Sequence, residues 1–272
     1  GRYVFHHMTY SSGVLNEEGT AVDEDTRTRW PIHEVGRNAD IFPEKFGTIL
    51  QANSALHLRA SHIHPNGIQE TTAHLEFGFV FHPKGYQPEY GNRARVRLGN
   101  GTDIDVVGGR AGQEFHAFAV LEQHTKLVAF EPHLHAPGTR MCIEAIWGSN
   151  HFTLNCVGYD HSWVKQYVYE DDAAPLLPKG TIMHIVGFLD TTVANENVAD
   201  SRNWAGGGRR SVANMFIDLG YSVELTEEQF QSEMADRRAK MKSRNDYDIG
   251  CPLCWAPVPT EMSTTTDESG QQ

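Results

Sequence analysis

The segment "EPHLHAPGTRM" at residues 131–141 sets His133 and His135 one residue apart. In an extended strand, residues two apart share a face, so both imidazoles either converge on one metal ion or both meet water. Pro137 and Gly138 follow and mark a turn. Farther along, "ANMFIDLGY" offers Met215 as a soft third ligand from a distant strand. Two imidazoles and a thioether suit copper, because thioether sulfur favours Cu(I) and imidazole binds both oxidation states. Zinc more often recruits cysteine or a carboxylate. Equally, a strand methionine such as Met215 fits an ordinary core position.

Histidine is frequent throughout: 15 of 272 residues, roughly double average usage. It clusters in "FHHM" at 5–8, "SHIHP" at 61–65 and "PHLHAP" at 132–137, and short His-rich tracts are read as metal sites. By contrast His57, His74, His82, His124, His151, His161 and His184 fall in ordinary strand or turn contexts. His116, at the start of a strand, is expected to be structural.

The elements that must position these residues are mostly strands. Short β-rich runs bounded by Gly, Pro, Asn or Asp recur from Tyr3 to Leu225, among them "LHLRASHIH", "AHLEFGFVFH", "TKLVAFEPHLH", "RMCIEAIW" and "TIMHIVGFLD". Many such strands without intervening helical patterns indicate an all-β sandwich or barrel. The stretch from Ser11 to Phe46 is long, acidic and irregular, as a surface-covering loop would be. One helix is expected after Thr226, where "TEEQ" forms a capping box with Gln229 and Phe230, Met234 and Met241 make an apolar stripe. A break near "GNRARVRLGNGTD" divides the β region, which predicts two tandem sandwich domains at 1–100 and 101–225. The helix then covers 226–244, and an extended tail covers 245–272.

Four cysteines form two candidate pairs. "MCIEAIWGSNHFTLNC" has the pattern of a hairpin turning near Gly148–Asn150, which sets Cys142 opposite Cys156. A cross-strand disulfide and two buried thiols both fit that placement. Cys251 and Cys254 in "CPLC" suit a local disulfide or free thiols better than zinc, since a second ligand pair is lacking. An even count with plausible pairs leans toward an oxidising compartment. The abrupt opening "GRYVFHHMTY" suits a mature terminus with its signal removed, hence a periplasmic or secreted location. The formal net charge of −12 argues against a nucleic-acid partner. No apolar run reaches the roughly 18 residues of a transmembrane helix.

Taken in order, "LVAFEPHLHAPGTRM", "YDHSW" at 159–163, "LPKGT" at 177–181, "DTTVANEN" at 190–197 and "NMFIDLGY" resemble the C-terminal domain of the copper type II, ascorbate-dependent monooxygenases. That family includes peptidylglycine α-hydroxylating monooxygenase, dopamine β-monooxygenase and bacterial relatives. "VFHHMTYSSG" and "LQANSALHLRASHIHPNGIQETTAHLEFGFVFHPKG" resemble its N-terminal domain, so the resemblance spans about residues 3–222. It implies two jellyroll-like β-sandwich domains and two copper sites facing each other across a solvent-filled gap. His133, His135 and Met215 would hold the copper that activates dioxygen for C–H hydroxylation. His6, His7 and His62 would hold the copper that relays an electron from ascorbate, with His64 as an outer or substitute ligand.

Adjacent strand residues point to opposite faces, so His6 and His7 reach one metal only through a bulge or irregular turn. The chain also departs from the family pattern at "APGTR", at "VANM" and in the enlarged loop "RNWAGGGRRS". The alternative expectation is therefore a non-catalytic subunit that reuses the double sandwich within a larger membrane-associated complex, for example an electron-transfer one, with degenerate metal sites. Its protein partners would meet the exposed N-terminal edge and the C-terminal tail. Copper storage or delivery is a third reading.

Overall fold

The computed structural model describes residues 5–37, 39–63, 70, 72–90, 93–94, 99–100, 104–202, 206–208 and 213–244. His64, the Cys251–Cys254 pair and the extended tail lie outside the described residues. In chain order the first strands are β1 (Phe5–Gly13), β2 (Thr28–Arg29), β3 (His33–Glu34), β4 (Ala55–Ile63), β5 (Arg93–Ala94) and β6 (Gly99–Asn100). Next come β7 (Gln113–Val120), β8 (His124–Phe130), β9 (Pro132–Leu134), β10 (Gly138–Trp147) and β11 (Asn150–Gly158). β12 (Tyr167–Val168), β13 (Leu176–Leu177), β14 (Ile182–Leu189), β15 (Phe216–Asp218) and β16 (Tyr221–Leu225) precede the helix α1 (Glu227–Arg244). Among the described residues the protein is all-β with one helix, which follows the strands, and its strand ladders are antiparallel.

The core follows from strand alternation. In the sheet ordered β11–β10–β14–β7, Met141, Ile143 and Ala145 of β10 line up with Gly187, Ile185 and Met183 of β14 on the inner face. That face packs on Leu127, Phe130, Leu134, Leu177 and Phe216, from the strands opposite, to form one apolar cluster. β8 is buried on both faces, and its Val128 and Ala129 belong instead to a second cluster with Phe46, Tyr90, Tyr221, Leu225, Phe230 and Met234. The last residues expected in the first half hydrogen-bond into the second: β5 pairs with β16 and β6 with β15.

The helix begins as its capping box predicts. Thr226 N–H donates to Gln229 Oε1 at 2.9 Å and Gln229 N–H to Thr226 Oγ1 at 3.2 Å, satisfying two otherwise orphaned amides. Phe230 and Met234 point into the second cluster. Arg237, also buried, donates to the carbonyls of Ala174 and Asp171 at 2.9 and 2.8 Å. Thr226→Ala is expected to cost about 1 kcal/mol, read as a lower midpoint in urea unfolding.

Two expectations change. "AHLEFGFVFH" forms no ladder among the described residues. It packs by side chains instead, with Phe77 4.9 Å from the Tyr10 ring and Phe79 5.3 Å from Trp30. Alternation alone does not distinguish packing over a sheet from pairing at its edge. The 11–46 stretch does more than cover a surface, since it supplies β2, β3 and the fully buried Phe46.

The β10–β11 hairpin turns at Gly148, which has φ +60°, as its sequence pattern implies. Cys142 and Cys156 are register partners and are joined by a disulfide.

Candidate metal centre

Local chain geometry brings the histidines together. The β1–β4 ladder pairs Phe5 with Ile63 but His7 with His62, so an extra residue is accommodated on β1 at this point. This is the bulge that adjacent ligands require, because it turns successive side chains toward a common side. The His6 ring lies 5.7 Å from His62 and the His7 ring 5.0 Å from it, centroid to centroid. His6 itself is buried.

The second group rides on β9, which pairs with β15 so that His133 faces Ile217 and Leu134 faces Phe216. The His135 amide donates to the Met215 carbonyl at 3.3 Å, which continues that register. Met215 therefore stands opposite His135, on the face carrying both histidines, because directly opposed residues share a face. The His133 and His135 rings are 5.5 Å apart and both are buried. Behind them the chain turns sharply: Gly138 N–H donates to the His135 carbonyl at 2.8 Å, closing the turn through Ala136 and Pro137.

The two histidine sets expected on either side of a solvent gap are in ring contact. His7 lies 5.8 Å from His133. Beside them β3 pairs with β1 and places Glu34 Oε1 3.1 Å from His133 Nδ1. A sixth histidine joins, one that its turn context marked as ordinary: the His161 ring is 4.9 Å from His6 and 6.4 Å from His135. The signal for it lay in the hairpin register that pairs Cys142 with Cys156. Carried three residues outward, that register sets Tyr159 against Thr139, and the Tyr159 amide does donate to the Thr139 carbonyl at 2.9 Å. His161 then follows beside the turn after His135.

Protonation favours metal ligation. Burial, then the neighbouring rings of His133, His62, His6 and His135, lowers the His7 imidazole to about 3. It is thus neutral at physiological pH, the form that binds metal. His135 Nδ1 lies 2.8 Å from the Ala213 carbonyl, which can only accept. The ring proton therefore sits on Nδ1 and the lone pair on Nε2, as in metal-bound histidines oriented by a backbone carbonyl.

Beneath the rings lies a buried charged layer. Arg37 donates to Glu131 and Asp40, and Gln166 Nε2 donates to Glu131 at 3.0 Å. Asp218 Oδ1 accepts from the amides of Glu131 and Gly220 at 2.9 and 2.8 Å, fixing the start of the histidine strand. Burial raises the Glu131 carboxyl above the ordinary glutamate range; Arg37 pulls it down and Glu34 pushes it up. Glu34, Glu131 and Asp218 are buried, as is Arg37, whose guanidinium pairs with Glu131 and Asp40.

The other histidines serve elsewhere. His124 stacks on Phe230 at 4.3 Å and meets Glu227 at the helix start, and His82 stacks on Tyr86 at 4.0 Å. His116, His151 and His184 lie on the sheet containing β7, β10, β11 and β14, on the side away from its core. The donor set at the main cluster, imidazoles with a thioether on the same face, fits copper. No family model matches the chain, and no curated protein is significantly similar to it.

Proposed function

We propose that this chain is a copper protein of the copper type II monooxygenase kind, acting outside the cytosol. The observation that supports this best is the meeting of His6, His7, His62, His133 and His135 in one largely buried cluster, with Met215 on the face of the last two. Copper, when bound, supplies the one-electron and dioxygen chemistry for hydroxylating a C–H bond with an ascorbate-type reductant. His133, His135 and Met215 form the oxygen-side ligand set, and His6, His7 and His62 the reductant-side set. Ala213 fixes the tautomer of His135, and Glu34 holds its carboxylate against His133. The Cys142–Cys156 disulfide supports a periplasmic or secreted location.

A second reading, a non-catalytic subunit of a larger membrane-associated complex, is favoured by a different observation. Leu56, Leu58 and Ile63 of β4 and Val80 and Phe81 beyond it are exposed, which suits a surface covered by a partner. No helix among the described residues is long and apolar enough to cross a membrane.

Met215→Ala separates the two readings. For the enzyme, the copper-loaded variant loses ascorbate-dependent oxygen consumption by about 100-fold or more while its unfolding midpoint stays near that of the parent. Equal oxygen consumption by variant and parent would contradict the role given to Met215.

A further inference from the structure

The outer face of the β7–β14–β10–β11 sheet carries a group of side chains that the histidine cluster does not use. Register sets Glu144 of β10 directly opposite His184 of β14, and His184 in turn opposite Phe118 of β7. A shift in the β10–β11 ladder between Ile143 and Glu144 moves the pairing by one residue and brings His151 diagonal to Glu144. Glu144 Oε2 then lies 2.8 Å from His151 Nε2 and 2.8 Å from His184 Nδ1. The three ligand atoms lie within 4.8 Å of one another.

The geometry points to a divalent-cation site of the zinc class made by Glu144, His151 and His184. Two imidazoles and a carboxylate with no sulfur select a borderline divalent ion rather than Cu(I). Donors around tetrahedral zinc stand about 3.3 Å apart, so the 2.8 Å separations need open by only about half an ångström. The half-exposed His151 side chain can supply that movement. Three protein ligands leave a fourth position for water or for a donor from another molecule.

The surroundings prepare the site. The His184 ring is stacked on Phe118 at 4.2 Å with planes 4° apart, which fixes its orientation. Its Nε2 is 3.0 Å from His116 Nδ1. With the cation on Nδ1, the ring proton sits on Nε2 and is donated to His116. The second His116 nitrogen, which then carries hydrogen, faces Glu114 at 4.0 Å. A metal-bound histidine whose other nitrogen donates to a fixed acceptor is the usual supporting arrangement. Burial alone would raise the Glu144 carboxyl, but hydrogen bonds from His151 and His184 outweigh it and hold the group below its ordinary range. It is therefore a carboxylate at neutral pH. In the metal-bound form each imidazole is neutral, with its lone pair on the ligating nitrogen and its single proton on the other, so that the cation lies where this oxygen otherwise accepts two N–H groups.

The test is a Zn²⁺ titration of the full chain by calorimetry, repeated with Co²⁺ to read coordination from its visible spectrum. Parallel titrations use His151→Ala, Glu144→Gln, His116→Ala and the His6→Ala/His7→Ala double variant. The site predicts that Glu144→Gln and His151→Ala each weaken one binding event by about 100-fold or more, and His116→Ala by about 10-fold. The same event persists in the His6→Ala/His7→Ala protein, so its outcome is independent of the copper proposal. His151 is exposed enough that its truncation leaves the fold intact, which keeps the test valid should Glu144→Gln fail to fold. Unchanged Zn²⁺ binding in His151→Ala, or no binding event in the double variant, would overturn the assignment.

Discussion

Gly138→Ala is expected to destabilise the protein by about 3 kcal/mol and to weaken copper binding at the same time. A Cβ at Gly138 would lie 2.3 Å from Leu134 Cβ and 3.0 Å from its Cγ and Cδ1. The nearest of these atoms is fixed to the backbone, so a rotamer change does not relieve the clash. Leu134 is fully buried between His133 and His135. Either β9 or the start of β10 must move, and both ligands ride on that movement. The expected loss of copper affinity is about 10-fold or more, since ligand geometry is set by such supports. Urea unfolding and competitive copper titration on the same preparation measure the two effects. A variant that loses stability with undiminished copper affinity would show that the strand does not position these histidines.

Gly220→Ala should be more severe, about 4 kcal/mol or more. Its Cβ would sit 2.0 Å from the Ala129 carbonyl oxygen and 2.7 Å from the carbonyl carbon, with Asp218 Oδ1 at 2.9 Å. The collision is with backbone in the ladder that pairs Tyr221 with Ala129. Opening it also breaks the carboxylate clamp in which Asp218 holds the amides of Glu131 and Gly220. The soluble yield and unfolding midpoint of the variant report the effect. Gly158→Ala is the control: beyond its own chain neighbours nothing lies within 4 Å of the added Cβ, and a change within about 0.5 kcal/mol is expected. A Gly220→Ala protein as stable as that control would refute the packing described here.

What could be seen in the sequence was local. The spacing of His133 and His135 fixes a shared face whatever the tertiary structure. The requirement for a bulge at His6 and His7 follows from strand geometry alone, and the β1–β4 ladder contains one. The hairpin arithmetic around Gly148 located the Cys142–Cys156 pair, and the Thr226–Gln229 capping box formed as its residue types dictate. What could not be seen depends on packing between distant segments. The local pattern "YDHSW" does not explain His161, for example: its place comes from a long hairpin register, not from its neighbours. The ring contact of His7 with His133 joins β1 to β9, and Glu34 reaches His133 from β3, a two-residue strand too short to announce itself. Glu144, His151 and His184 come from three strands and meet only through register and a one-residue shift. The segment around Phe77 and Phe79 alternates like a strand, yet among the described residues it meets aromatic rings and forms no ladder.

The central claim is that the buried histidine cluster is a copper centre, and Cu(I) titration against a competing chelator, with X-ray absorption on the loaded protein, tests it most directly. The parent chain is predicted to hold Cu(I) tightly with histidine nitrogen in its coordination shell, and the His133→Ala/His135→Ala variant to lose that binding while remaining folded. Absence of Cu(I) binding by the folded parent, or equal binding by the variant, would contradict it.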